Sequence, residues 1–120
     1  MLRVCAVSVD LDEVDNYFAI HGLPPPSGAG AASHAGYDVG LLRLSSFADA
    51  LGLPLTLFAI GADLARPANA AAIGALARRG HAVENHSLSH LYDLSRKTAP
   101  EIAVEVDAGD HAPDRPAREL

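Results

Sequence analysis

The first apolar run, Val4-Cys5-Ala6-Val7-Ser8-Val9, is short and nearly unbroken. Three valines in six residues favour a strand, and the continuous apolar character fits a strand covered on both faces. Asp10 and Asp12 follow at its C-terminal end. In parallel α/β folds ligands bind at that end, because the loops there vary while the sheet holds them. Leu41, Leu42, Leu44, Phe47, Ala48 and Leu51 recur at helical spacing and predict an amphipathic helix, stopped by Gly52 and Pro54. Leu55 to Ile60 predicts a second strand, with Gly61 turning the chain out of it. Pro67 opens a second helix with the stripe Ala71, Ala72, Ile73, Leu76 and Ala77. Arg78 and Arg79 lie near its negative dipole end, before Gly80. A third strand, His81 to Asn85, delivers His86 to the C-terminal edge of the sheet. Thr98-Ala99-Pro100-Glu101 signals a last helix, with Ile102, Val104 and Val106 on its apolar side, fading by Gly109.

Between these elements, Pro24 to Gly40 is rich in Pro, Gly, Ser and Ala without an apolar period and reads as a long loop. Gly28, Gly30 and Ser33 echo a dinucleotide fingerprint, but the segment follows three prolines instead of a strand and lacks the third glycine, so no such cofactor is expected. Tyr17, Phe18 and Ile20 are expected to pack the loop after the first strand, with His21-Gly22 near the site mouth. Strands alternating with helices at this spacing predict parallel βα units, about three of them. The domain is placed at residues 3–109 and a poorly ordered polar tail at 110–120. A closed eight-unit barrel takes about 250 residues, so this length accommodates about four units at most.

Composition narrows the partners. Of the 120 residues 49% are hydrophobic and 20% charged, as in globular proteins, and a domain of this size buries only about two-thirds of its unfolded surface. The net charge of −6 offers no basic stripe, which argues against nucleic acid and anionic membranes. No stretch reaches the ~18 apolar residues of a membrane span. Asp10 and Asp12 interrupt the opening before a signal-peptide core forms, so a cytoplasmic location is the expectation. The lone Cys5 is expected to be a buried small hydrophobe.

His86-Ser87-Leu88-Ser89-His90 places two imidazoles four residues apart, on one face if the segment is a helical turn, close enough for a single metal. A third ligand must come from elsewhere, and Asp10 and Asp12 end a strand that the fold would bring alongside. One carboxylate can bind and the other can take a proton from water, a ligand and a general base from one pair. Zinc suits two His and one Asp, with a position left for water. Cobalt, nickel, manganese or iron(II) also accept these donors.

Three segments together carry a resemblance: Ser8-Val9-Asp10-Leu11-Asp12, then Leu57-Phe58-Ala59-Ile60-Gly61, then Gly80-His81-Ala82-Val83-Glu84-Asn85-His86-Ser87-Leu88-Ser89-His90. In order and spacing they resemble the NodB-homology polysaccharide deacetylases, carbohydrate esterase family four, over roughly Arg3 to Gly109. The resemblance implies part of a distorted seven-stranded (β/α) barrel that hydrolyses N-acetyl or O-acetyl groups on sugar polymers, peptidoglycan included, or related C–N bonds in small amides, with a divalent metal. It maps Asp10 to the catalytic base and Asp12, His86 and His90 to the metal ligands. The Asp-x-Asp form, in place of adjacent aspartates, is similar to a subgroup with peptidoglycan-deacetylase-like and allantoinase-like members.

The family continues with an Arg-x-Pro strand that orients the base and a late His acting as general acid. Arg115-Pro116 lies in a polar tail, and His111 reads as a solvated loop residue, so neither fills those places. Three readings follow: a metal-dependent deacetylase or its catalytic part, expected to be weak alone; a metal-binding remnant without turnover; and a structural βα fragment whose sheet edge needs further strands or an oligomer to cover it.

Overall fold

The computed structural model describes residues 4–24 and 33–111. It is a mixed α/β structure around a three-stranded parallel sheet. The strands are β1 (Val7–Leu11), β2 (Leu55–Ala59) and β3 (Ala82–Asn85), in the spatial order β1-β2-β3. The helices are α1 (Val14–Ile20), α2 (Leu42–Leu51), α3 (Pro67–Arg78) and α4 (Ala99–Asp110). A π-helical segment, Gly36–Leu41, runs straight into α2, and short 3-10 turns cover Ala62–Ala65 and Leu94–Arg96.

β1 begins three residues later than its apolar run and takes in Asp10 and Leu11. Pairing is the reason: the register runs from Val7 opposite Leu55 to Leu11 opposite Ala59, so β2 sets where β1 can hydrogen-bond. Cys5 therefore precedes the strand and is exposed, contrary to the expectation of a buried thiol. The strand is also not covered on both faces. In a parallel sheet, residues in register share a face. The rows Val7–Leu55, Val9–Leu57–Val83 and Leu11–Ala59–Asn85 form one face, while Ser8–Thr56–Ala82 and Asp10–Phe58–Glu84 form the other.

The first of these faces is the core. Leu11, Leu55, Leu57 and Ala59 are buried there against Tyr37, Leu41, Ala48, Leu64, Ile73 and Leu76 from the helical layer, with Val7, Val9 and Val83 packed alongside. Sequential strand order with crossovers of the usual right-handed sense puts the connecting helices on one side of a sheet. The opposite face is open: Ser8 and Asp10 are exposed, and Thr56 and Phe58 are half-buried.

Helix identities follow the apolar pattern more closely than their orientations do. α3 matches its expected start at Pro67 and buries Ala70, Ile73 and Leu76. α2 keeps Ala48 inside but leaves Phe47 62% and Leu51 56% exposed. α4 opens with a capping box in which Thr98 and Glu101 exchange hydrogen bonds. It exposes Val104 and Val106 and buries Glu105 and Gly109. α1 occupies the stretch expected as loop. It buries no residue, with Tyr17 and Ile20 exposed, so it carries no apolar stripe to detect.

The expected loop over 24–40 is corrected at its end, where Gly36–Leu41 is helical. Residues 25–32, with Gly28 and Gly30, lie outside the described residues, as does 112–120 with Arg115-Pro116. Gly61 turns out of β2 at φ −58°, so no glycine-specific conformation is used there. His81 is buried, and its Nδ1 accepts the Leu55 backbone N–H at 3.0 Å, a packing role between β2 and β3.

Candidate metal centre

Asp12 and His86 are positioned by the sheet. Each follows its strand by one residue, Asp12 after β1 and His86 after β3, on either side of the C-terminal end of β2. The His86 N–H donates to the Ala59 carbonyl at 3.1 Å and so continues the β2–β3 ladder into the site. The His86 ring faces Phe58 with ring centroids 6.2 Å apart, which places it over the open face of the sheet.

His90 arrives by a different route from the expected helical turn. The segment after β3 is a tight loop in which Ser87 has φ 63° and His90 φ 53°, both in the left-handed region that side chains with a Cβ disfavour. Each such residue costs about 1–2 kcal/mol. The loop is held on two sides. The Ser87 and Leu88 carbonyls accept the Gly61 and Ala62 N–H groups at 2.9 and 2.7 Å, and the Leu88 N–H donates to the Glu105 carbonyl at 2.8 Å. Ser87 Oγ accepts the His90 N–H at 3.0 Å across the turn. The two imidazoles end with ring centroids 4.5 Å apart, and Tyr92 meets the His90 ring edge-on at 4.7 Å.

One donor atom from each of Asp12, His86 and His90 lies within 4.8 Å of the other two. Ligand atoms in a tetrahedral site with bonds of ~2.1 Å are roughly 3.4 Å apart, so closing on an ion takes shifts on the order of an ångström. Asp12 Oδ1, His86 Nε2 and His90 Nδ1 are also buried with no hydrogen-bond partner among the described residues. An orphaned buried polar atom costs about 1–3 kcal/mol. Glu13 Oε2, Tyr37 OH, His81 Nε2 and Asn85 Oδ1 are orphaned in the same way, so what sets the trio apart is its proximity: two imidazoles and a carboxylate within reach of one another fit a divalent metal.

Asp10, the expected base, lies within β1, two residues before Asp12, opposite Phe58 and on the exposed face. It is outside the trio. His21 and His111 are exposed; His111 Nδ1 pairs with the Asp107 carbonyl of its own helix at 2.7 Å. Glu84 is half-buried.

A polar cluster directly behind Asp12 had no counterpart in the sequence reading. Glu13 is 7% exposed; its Oε1 accepts from Asn69 Nδ2 at 2.7 Å and pairs with His34 Nδ1 at 2.8 Å. Its backbone N–H donates to Asp63 Oδ2 at 3.3 Å. Asn69, 1% exposed, also donates to the Asp63 carbonyl at 2.9 Å and accepts from Arg66 at 2.7 Å. Arg66 in turn grips Asp38 with both guanidinium arms. Burial pushes the Asp63 carboxyl up to about 6; the Glu13 and Asp12 charges add to the shift, and the Glu13 N–H and His90 oppose it. Burial, with Asp63, Glu13 and Asp12 nearby, also raises the Tyr37 phenol. Gly36 packs so close that a Cβ there would sit 2.8 Å from the Asp12 carbonyl oxygen. The one available signal was Glu13 itself, a third acidic residue at the strand end.

No helix among the described residues is long and apolar enough to cross a membrane. Comparison with known proteins returns no family model, no curated protein and no solved structure that matches the chain.

Proposed function

We propose that this chain carries the metal-binding and base-carrying part of a metal-dependent hydrolase of the NodB type, acting on carbon–nitrogen bonds in N-acetylated sugars of a polysaccharide or peptidoglycan. The observation that carries the reading is the convergence of Asp12, His86 and His90 from two strand ends, with one donor atom of each within 4.8 Å of the other two. The sheet order supports it: parallel strands in sequential order, with the core on one face, are the arrangement that consecutive (β/α) units adopt.

Zinc is the proposed ion, and when bound it would polarise an acetyl carbonyl and make water a better nucleophile. Asp12, His86 and His90 would hold it. Asp10 is proposed to take the proton of the attacking water; its support is the Asp-x-Asp resemblance and its place on the face over which His86 lies. Phe58, between Asp10 and Glu84 in one register row, gives that face an apolar centre for the methyl group of an acetyl substrate. A small amide of the allantoinase-like kind would present the same scissile bond.

Calorimetric titration of the metal-stripped chain with zinc, beside His86→Ala, tests the site. Acetate release from an acetylated chitooligosaccharide then tests the reaction. One equivalent of zinc that the variant loses, with little or no acetate, is the expected result, because no described residue fills the general-acid place. Acetate release at a substantial rate would make the chain a deacetylase in its own right, and no specific zinc binding would overturn the reading.

A further inference from the structure

α4 is unusual in what it buries. Its valines at 104 and 106 face solvent, whereas Glu105, a carboxylate, is 7% exposed. Both oxygens of that carboxylate go to one residue: Oε2 accepts the Ser89 N–H at 2.9 Å and Oε1 accepts the Ser89 hydroxyl at 2.7 Å. The Glu105 carbonyl accepts the Leu88 N–H at 2.8 Å. One helical residue thus makes three hydrogen bonds to the two residues between Ser87 and His90. One turn further on, Gly109 lies against the same loop, where a Cβ would come within 2.6 Å of the Ser87 carbonyl carbon and 2.8 Å of the Leu88 nitrogen.

We propose that Glu105 is a positioning residue for the histidine pair: it clamps the His86–His90 loop in its left-handed conformation, so that both imidazoles are aimed before any metal arrives. The proposal rests on the metal-site reading for its functional meaning. Two left-handed residues in five would relax toward extended backbone without an external restraint. Charge-assisted hydrogen bonds of these lengths are among the stronger restraints available. Glu105 touches none of the three donors and acts by holding the backbone from which His90 projects.

The test uses the full chain and zinc. Glu105→Ala is expected to lower zinc affinity 10- to 100-fold, the range seen when groups that orient ligands are removed, and to speed hydrogen exchange at the Ser89 and His90 amides in the metal-free protein. Glu105→Gln, which can still accept from the N–H and bond the hydroxyl, restores both to within about threefold of wild type. Ser89→Ala, at an exposed position, loses the hydroxyl bond, keeps the two backbone N–H bonds and falls between; it decides the matter if Glu105→Ala does not fold. Thr98→Ala weakens the start of α4 without touching the loop and leaves zinc affinity unchanged. A folded Glu105→Ala chain with wild-type affinity and wild-type exchange would overturn the proposal. If the wild-type chain takes no zinc, the metal reading falls, while the exchange comparison still decides the clamp.

Discussion

Two glycines inside helices offer a matched pair of substitutions with opposite expected signs. Gly74 in α3 and Gly109 in α4 should each gain up to about 1 kcal/mol on replacement by alanine, since glycine is the poorer helix former by that amount. At Gly74 the nearest obstacle to a new Cβ is Arg78 Nη1 at 3.3 Å, the far end of a flexible side chain that can step aside. At Gly109 the obstacles are the Ser87 carbonyl carbon and Asn85 Oδ1 at 2.6 Å and the Leu88 nitrogen at 2.8 Å. Ordinary contact begins near 3.4 Å, so the helix or the loop must retreat by more than half an ångström. Overpacking of that kind costs about 1–3 kcal/mol. The propensity gain is common to both variants, so the clash alone separates them by about 1–3 kcal/mol. Gly74→Ala is expected to be slightly more stable than wild type, and Gly109→Ala equal to it or less stable by up to about 2 kcal/mol. Urea unfolding followed by circular dichroism, with the slopes checked for constancy, measures both. Equal stabilisation by the two alanines would refute the close packing of α4 on the loop.

Three further outcomes follow from the site and its surroundings. Zinc at a hundred times its dissociation constant should stabilise the wild-type chain by about 2.7 kcal/mol, a shift that denaturant titration should show to be absent from His86→Ala. Asn69→Ala removes the amide donor from the buried Glu13 carboxylate and should cost about 3 kcal/mol in the same assay; a loss under 1 kcal/mol would mean that the cluster behind Asp12 is solvated. Asp63 has a folded pKa of about 6, above its unfolded value, so the folded chain binds the extra proton and the group's contribution to stability falls as pH rises from about 4 to 6. Metal-free Asp63→Asn should therefore gain stability relative to wild type as pH rises through that window, and keep the gain at pH 7.5. A difference independent of pH in chemical denaturation would contradict the burial of that carboxyl.

The pattern of apolar positions located β2 and α3 to within a residue or two, and α4 was located by its Thr98–Glu101 start signal, since the valines expected on its apolar side are exposed. It misjudged β1, whose limits are set by the five residues that β2 offers for pairing, and it missed α1, which buries nothing. The approach of His86 to His90, with a carboxylate of the Asp10–Asp12 pair alongside, was legible from spacing and strand order, whereas the choice of Asp12 rested on the family resemblance. The loop that delivers His90 was not: four-residue spacing suggests a helical turn, whereas the backbone reaches the same proximity through two left-handed residues. The Glu13–Asn69–Arg66–Asp38 network and the Glu105 clamp escaped for one reason. Buried polar residues carry no periodic mark, and their partners are distant in sequence.

His86 and His90 are near neighbours along the chain, whereas Asp12 is separated from them by both intervening crossovers. An unfolded chain can therefore offer an ion the two imidazoles but not the carboxylate, which joins only once β1, β2 and β3 have assembled in order. Bidentate capture is local and full coordination is global. At the proposed site, occupancy by all three residues would then report completed topology, since the third joins only after long-range loop closure.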